Sequence, residues 1–223
     1  LPLFFKCSNK SGNAVGNLPI PLNDSGVIPE QAFEVVNNVI KNMNIVLEQL
    51  IPNLTIGIKV IGTQTMKNGE TGYIIELISK KNKKEIALRY ESEGIKKIVS
   101  ILQLLIVVYN NDSITVAIDE LDSGIFEYLL GEILRIISEK GKGQLIFTSH
   151  NLRPLETIDK GFIAFTTTNV NNRYIRFSNV KNNNNLRDFY YRDIMLGEQD
   201  EPVYETTNNN DIALAFREAK FEI

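Results

Sequence analysis

The stretch from Tyr90 to Leu152 restricts the fold most, because helical and strand patterns alternate there and each apolar strand pattern ends in polar, reactive residues. A helix is predicted from Ser92 to about Tyr109, a strand over Thr115–Ile118, a helix from about Ile125 to Lys140 and a strand over Leu145–Thr148. Parallel strands need crossover connections, and helices usually provide them. The alternation therefore predicts an α/β lobe with a parallel sheet covered by helices and with ligand-facing residues at the carboxyl ends of the strands. Asp119 and His150 fall at those ends.

Upstream the pattern changes. Leu54–Ile61, Tyr73–Ser79 and Glu85–Tyr90 read as strands separated by the polar turns Lys67–Gly69 and Lys80–Lys84, which predicts an antiparallel β segment. Before it, Phe33, Val36, Val39, Ile40, Met43, Leu47 and Leu50 recur at helical spacing between Pro29 and Pro52, the marks of a packing helix. Leu1–Ile28, rich in Asn, Gly, Ser and Pro, is expected to be a loop leading into the domain, with Leu18–Leu22 extended. Downstream, Phe162–Phe165 and Tyr174–Phe177 read as a last strand pair, and Leu186–Leu196 and Ile212–Lys220 as helices. The tracts Asn182–Asn185 and Asn208–Asn210 read as surface loops. The organisation expected is an N-terminal loop and packing helix over 1–53, which the end of an inserted arm or lid would also explain, a motif-bearing lobe over 54–180 and a helical extension over 181–223.

Composition excludes several function classes. Lys and Arg number 24 against 27 Asp and Glu, a net charge of −3, so no bulk attraction to nucleic acid or an anionic membrane is implied. The single Cys7 forms no internal disulfide, and no cysteine–histidine cluster exists for zinc, so a reducing cytoplasm is the expected setting. Lys6 cuts short the apolar Leu1–Phe5, and Ser100 and Gln103 break the run from Ile98 to Val108, so neither segment is read as a membrane span.

Three motifs carry the chemistry, and each also fits a plainer role. Asp119-Glu120 after an apolar run suits phosphoryl transfer, with Asp119 in the shell of a magnesium ion and Glu120 orienting or deprotonating the attacking water; a buried strand leaving into solvent through two acids looks the same. His150, the only histidine, is placed to hydrogen-bond a terminal phosphate, although an isolated histidine is commonly structural or solvated. Ser92-Glu93-Gly94 reads as a helix cap. It also reads as an anion site in which the Ser92 hydroxyl and the amides of Glu93, Gly94 and Ile95 face phosphate, with Gly94 letting it approach the backbone. Asp122 reads as the N-cap of the following helix, or as a carboxylate that reaches a partner subunit and helps set the water.

Taken in order, Tyr90–Gly94, Ile114–Asp122 and Leu145–Asn151 resemble the C-terminal lobe of ABC-type ATPases, in particular bacterial AAA-annotated ATPases related to overcoming-lysogenization-defect and SMC-like head domains. The resemblance spans roughly Leu54–Phe177 and implies a P-loop NTPase-like fold. It makes Ser92-Glu93-Gly94 a degenerate signature motif, Asp119-Glu120 the Walker B acids, Asp122 part of the D-loop and His150 the switch histidine. It implies ATP and Mg2+ as ligands, with Ser92 and Gly94 contacting a nucleotide held by the opposite head of a homodimer. It further implies a cytoplasmic bacterial protein in which head closure controls an attached effector, in phage defence or DNA maintenance.

One element of the pattern is missing. No Gly-x-x-x-x-Gly-Lys-Ser/Thr occurs, and the nearest candidate, Gly12 to Gly16, has the wrong spacing and no lysine. Without that amide cradle and lysine the chain alone is expected to bind ATP poorly and to be inactive, its P-loop half lying in a removed N-terminal lobe or on another chain. The competing expectation is a non-catalytic interaction or dimerisation module built on the same fold. A DNA-end-binding head would need a basic groove, and Lys80–Lys84 and Lys96-Lys97 are read as solvated faces instead.

Overall fold

A computed structural model describes residues 3–8, 15–177, 185–196, 199–205 and 207–219. The chain forms two compact units, Leu1–Asn151 and Leu152–Ile223.

The first unit opens with strands β1 (Leu3–Ser8) and β2 (Val15–Ile20), paired antiparallel with Leu3 opposite Ile20, and then β3 (Gly26–Pro29). The loop expected over the first 28 residues is thus largely strand. The reason is that a ladder is bonded through the main chain, so a segment rich in Asn, Gly and Pro can pair without an alternating apolar pattern.

Helix α1 (Glu30–Leu50) begins after Pro29, whose missing N–H is no loss at a helix start. Its stripe of Val36, Ile40, Met43 and Leu47 is at most 1% exposed, and it packs against β4 (Leu54–Thr65). Asn44 locks the two together, its side chain donating to the Ile56 carbonyl and accepting from the Ile56 amide, both at 2.8 Å. Leu47→Ala, which empties part of this core, is expected to destabilise the unit by about 2–5 kcal/mol, measured by urea denaturation.

Strands β4, β5 (Thr71–Lys81) and β6 (Lys84–Ala87) form the antiparallel segment predicted, with β3 on the other edge of β5. The β4–β5 hairpin closes through Gly69 at φ 83°, and the β5–β6 hairpin through Asn82 and Lys83, both at positive φ as a two-residue type I′ loop requires. After a short 3-10 turn at Leu88–Tyr90 come α2 (Glu93–Asn110), β7 (Thr115–Ile118), α3 (Glu127–Lys140) and β8 (Gln144–Phe147). Strands β7 and β8 run parallel, as the helix–strand alternation predicts.

The second unit contains the short helix α4 (Pro154–Thr157), the strands β9 (Phe165–Thr166) and β10 (Tyr174–Ile175), and the helices α5 (Leu186–Leu196) and α6 (Asn209–Glu218). The last strand pair is shorter than predicted, because Phe162 belongs to a 3-10 turn at Lys160–Phe162. The loop expected at Asn208–Asn210 is instead a helix start: the Asn208 side chain accepts from the Asn210 amide at 2.9 Å. Asn182–Asn184 and Lys220 lie outside the described residues. Phe165 and Phe177 stack at 4.0 Å, with Phe189 and Tyr190 against them. The Arg153 guanidinium, aided by Arg187, holds the Glu156 carboxyl below its ordinary range. Among the described residues no helix is long and apolar enough to cross a membrane.

Candidate active site

The parallel pairing of β7 with β8 sets Ile118 opposite Phe147, so Asp119 and Thr148 leave the sheet side by side. The Thr148 hydroxyl donates to Asp119 Oδ1 and accepts from the Glu120 amide at 2.8 Å. The Thr148 carbonyl accepts from Leu121 N at 3.0 Å. One threonine therefore fastens the whole turn that carries the acids. Glu120 itself has φ 47°, left-handed backbone that is uncommon for a residue with a side chain and costs roughly 1–3 kcal/mol unless its surroundings enforce it.

His150 follows β8 and comes within 3.9 Å of Glu120, Nε2 to Oε1. That is longer than a hydrogen bond and leaves both groups open to a third, since their side chains are 85% and 59% exposed. Asp119, Glu120 and His150 thus converge at one end of the parallel pair.

Asp122 does not cap the next helix. The residue before α3 is Phe126, which makes no side-chain cap, and the Asp122 carboxylate instead accepts from the His150 amide at 3.3 Å and the Asn151 amide at 3.1 Å. The reason is topological: the turn over Asp122–Ile125, closed by Ile125 N to Asp122 O, places the carboxylate beside the chain leaving β8. Asp122 ties the histidine segment to the acid segment. Asp122→Ala is expected to destabilise the unit by about 1 kcal/mol and to raise amide exchange at His150 and Asn151, read by hydrogen exchange.

The Ser92 side chain caps α2, accepting from Ile95 N at 3.3 Å. The expectation of three available amides at this helix start therefore fails at Ile95, whose N–H the cap occupies. Gly94 has a second explanation: a Cβ there would lie 2.2 Å from the Gly124 carbonyl oxygen, so the glycine permits the α2 start to pack on the turn after the acids. The signature-like tripeptide is in this way packed on the turn that follows the acid pair. Glu93 pairs with Lys96 at 2.6 Å, and Lys96 also reaches Asn23 at 3.1 Å. Lys96, expected on a solvated face, is buried, because it bridges α2 to the segment before β3. Sequence pattern did not mark Thr148 as part of the site; the one usable signal was a hydroxyl residue directly after a strand, in register with an acid.

Among the described residues no group of three or more His, Cys, Asp or Glu could hold a metal ion by itself. Magnesium is commonly held by one or two carboxylates together with phosphate oxygens and waters, so Asp119 fits an ion that arrives with a nucleotide and does not fit a cage made by protein alone. Two clefts, of about 540 and 310 Å3, lie elsewhere on the unit; the larger of the two is lined by α2 residues such as Asn110 together with Lys142, and neither includes the acids or His150. The candidate site is an open surface.

No protein-family model matches the chain, and no curated protein does. Solved structures do. An SMC ATPase described for ATP-driven dimerization and DNA-stimulated activation aligns over 76% of this chain and 96% of its own, at 13% identity and a TM-score of 0.50. The fold is similar to that of the SMC head, a P-loop NTPase-like fold. Two further SMC heads align less well. The SMC head bound to the C-winged helix domain of ScpA matches at 15% identity and a TM-score of 0.40 over 53% of this chain, and this chain spans 35% of its length. The head with a coiled coil and joint from Pyrococcus yayanosii matches at 13% identity and 0.47, over 65% of this chain and 28% of that one. The α/β, P-loop NTPase-like lobe predicted from the motif order is thus the fold observed.

Proposed function

We propose that this chain is the signature- and Walker B-bearing lobe of an ABC-type ATPase that hydrolyses ATP between two heads. The observation that carries the reading is the convergence of Glu120, His150 and Asp119 at the carboxyl ends of a parallel strand pair, with Glu120 held in left-handed backbone by Thr148. Strained backbone that its surroundings enforce is concentrated at active sites. In this reading Glu120 is the general base for the attacking water, His150 donates to the terminal phosphate, and Asp122 keeps His150 in place. Asp119 holds the magnesium shell, and the ion supplies charge neutralisation at the phosphates. Ser92, Glu93 and Gly94 form the start of the helix that meets the nucleotide of the opposite head.

The P-loop is supplied by a further lobe. No residue of β7 or β8 is buried, and Ile146 is 52% exposed. Parallel sheets occur almost only with both faces covered, and two strands alone make a marginal sheet, so this pair suits a place inside a larger one. The lobe functions as part of a cytoplasmic homodimer whose closure drives an effector. Phage defence or DNA maintenance, in the manner of the overcoming-lysogenization-defect ATPases, is the setting we assign.

A non-catalytic dimerisation module is the second reading, favoured by the absence of a P-loop motif from the sequence. The two differ in what ATP does to association. Full-length protein carrying Glu120→Gln, analysed by light scattering with ATP and Mg2+, is expected to dimerise on nucleotide addition and to separate on its removal. A mass that ignores ATP supports the module.

A further inference from the structure

Lys97 lies on α2 one turn beyond Gly94, and its ammonium donates to the carbonyl oxygen of Glu120 at 2.9 Å. The same oxygen accepts from Ser123 N at 3.1 Å. On the other side of Glu120 the amide donates to the Thr148 hydroxyl at 2.8 Å, and the next amide, Leu121, donates to the Thr148 carbonyl at 3.0 Å. Both peptide groups flanking the residue at φ 47° are thereby pinned, the preceding one by Thr148 after β8 and the following one by Thr148 and by Lys97 from α2. A left-handed residue with a side chain relaxes toward ordinary backbone unless such contacts over-determine it. Among these contacts the lysine bond is the charge-assisted one and the strongest by type.

We propose that Lys97 is a positioning residue for the Glu120 carboxylate, holding the turn in the backbone state that aims the side chain at the water it activates. This rests on the ATPase reading of Glu120. Because Lys97 and Ser92–Gly94 share one helix, and that helix also rests on Gly124 through Gly94, the aim of the base follows the seating of the helix start. A nucleotide pressing on Ser92–Gly94 from the opposite head then acts on the base through Lys97.

The test compares full-length wild type, Lys97→Met and Lys97→Arg in ATP turnover, with melting temperature measured for each. Lys97→Met is expected to lower kcat by about 10- to 100-fold, the scale of a small misplacement of a reacting group, with KM for ATP within about twofold and melting unchanged. Lys97→Arg, which can still donate to a carbonyl, is expected to recover most of kcat. A Lys97→Met enzyme that turns over like the wild type overturns the inference while leaving the ATPase reading intact, and so does a loss of kcat that tracks a lowered melting temperature and is not rescued by Arg. A wild type that neither binds nor hydrolyses ATP overturns both.

Discussion

Glu120→Gln in the full-length protein is expected to lower ATP turnover by about 10²- to 10⁴-fold, the contribution of a general base, while nucleotide affinity and melting temperature stay near wild type. The substitution is a clean probe because the contacts that fix residue 120 run through its backbone. Its amide is held by Thr148 and its carbonyl by Lys97 and Ser123, and none of these uses the carboxylate. Glutamine keeps shape and hydrogen-bonding capacity and loses only the ability to take a proton from water. Steady-state turnover beside equilibrium nucleotide binding measures both halves of the expectation. A variant as fast as wild type would move the base to another residue.

Gly94→Ala is the second large effect, and it acts on structure first. The added Cβ meets the Gly124 carbonyl oxygen at 2.2 Å, a backbone atom that cannot turn aside as a flexible side chain would. Either the start of α2 or the turn after the acids must shift. Gly124 itself sits at φ 76°, so that turn has little freedom to adopt another path. Overpacking of this kind costs about 1–3 kcal/mol, and here the displaced segments are the two that carry the site, so turnover is expected to fall together with stability. Gly57→Ala is the control: its Cβ would touch the Ile78 side chain at an ordinary 3.5 Å, and no comparable loss is expected. Urea denaturation and ATP turnover on the same samples separate the two outcomes.

Much of the fold was legible because periodicity reports burial. The stripe Val36, Ile40, Met43 and Leu47 announced α1, the apolar run at Thr115–Ile118 coincides with β7, and Ser92 serves as the cap its position suggested. Segments whose order comes from main-chain pairing were not legible. The β1–β2 hairpin has no apolar alternation to display, and a composition rich in Asn and Gly pointed to a loop. At the site, residue types at strand ends singled out Asp119, Glu120 and His150, which the parallel pairing of β7 and β8 brings to one end of the sheet. The partners that hold them were hidden. Asp122 bonds amides 28 and 29 residues away, and Lys97 reaches a carbonyl 23 residues on, distances set by topology and absent from any local pattern.

The most direct test of the account is ATP hydrolysis by the full-length protein, measured beside its Glu120→Gln variant and beside the 223-residue chain alone. The account predicts turnover by the full-length protein, nucleotide binding without turnover by the variant, and neither by the isolated chain. A full-length protein that fails to bind or hydrolyse ATP would contradict it and leave the SMC-type fold as a platform for association.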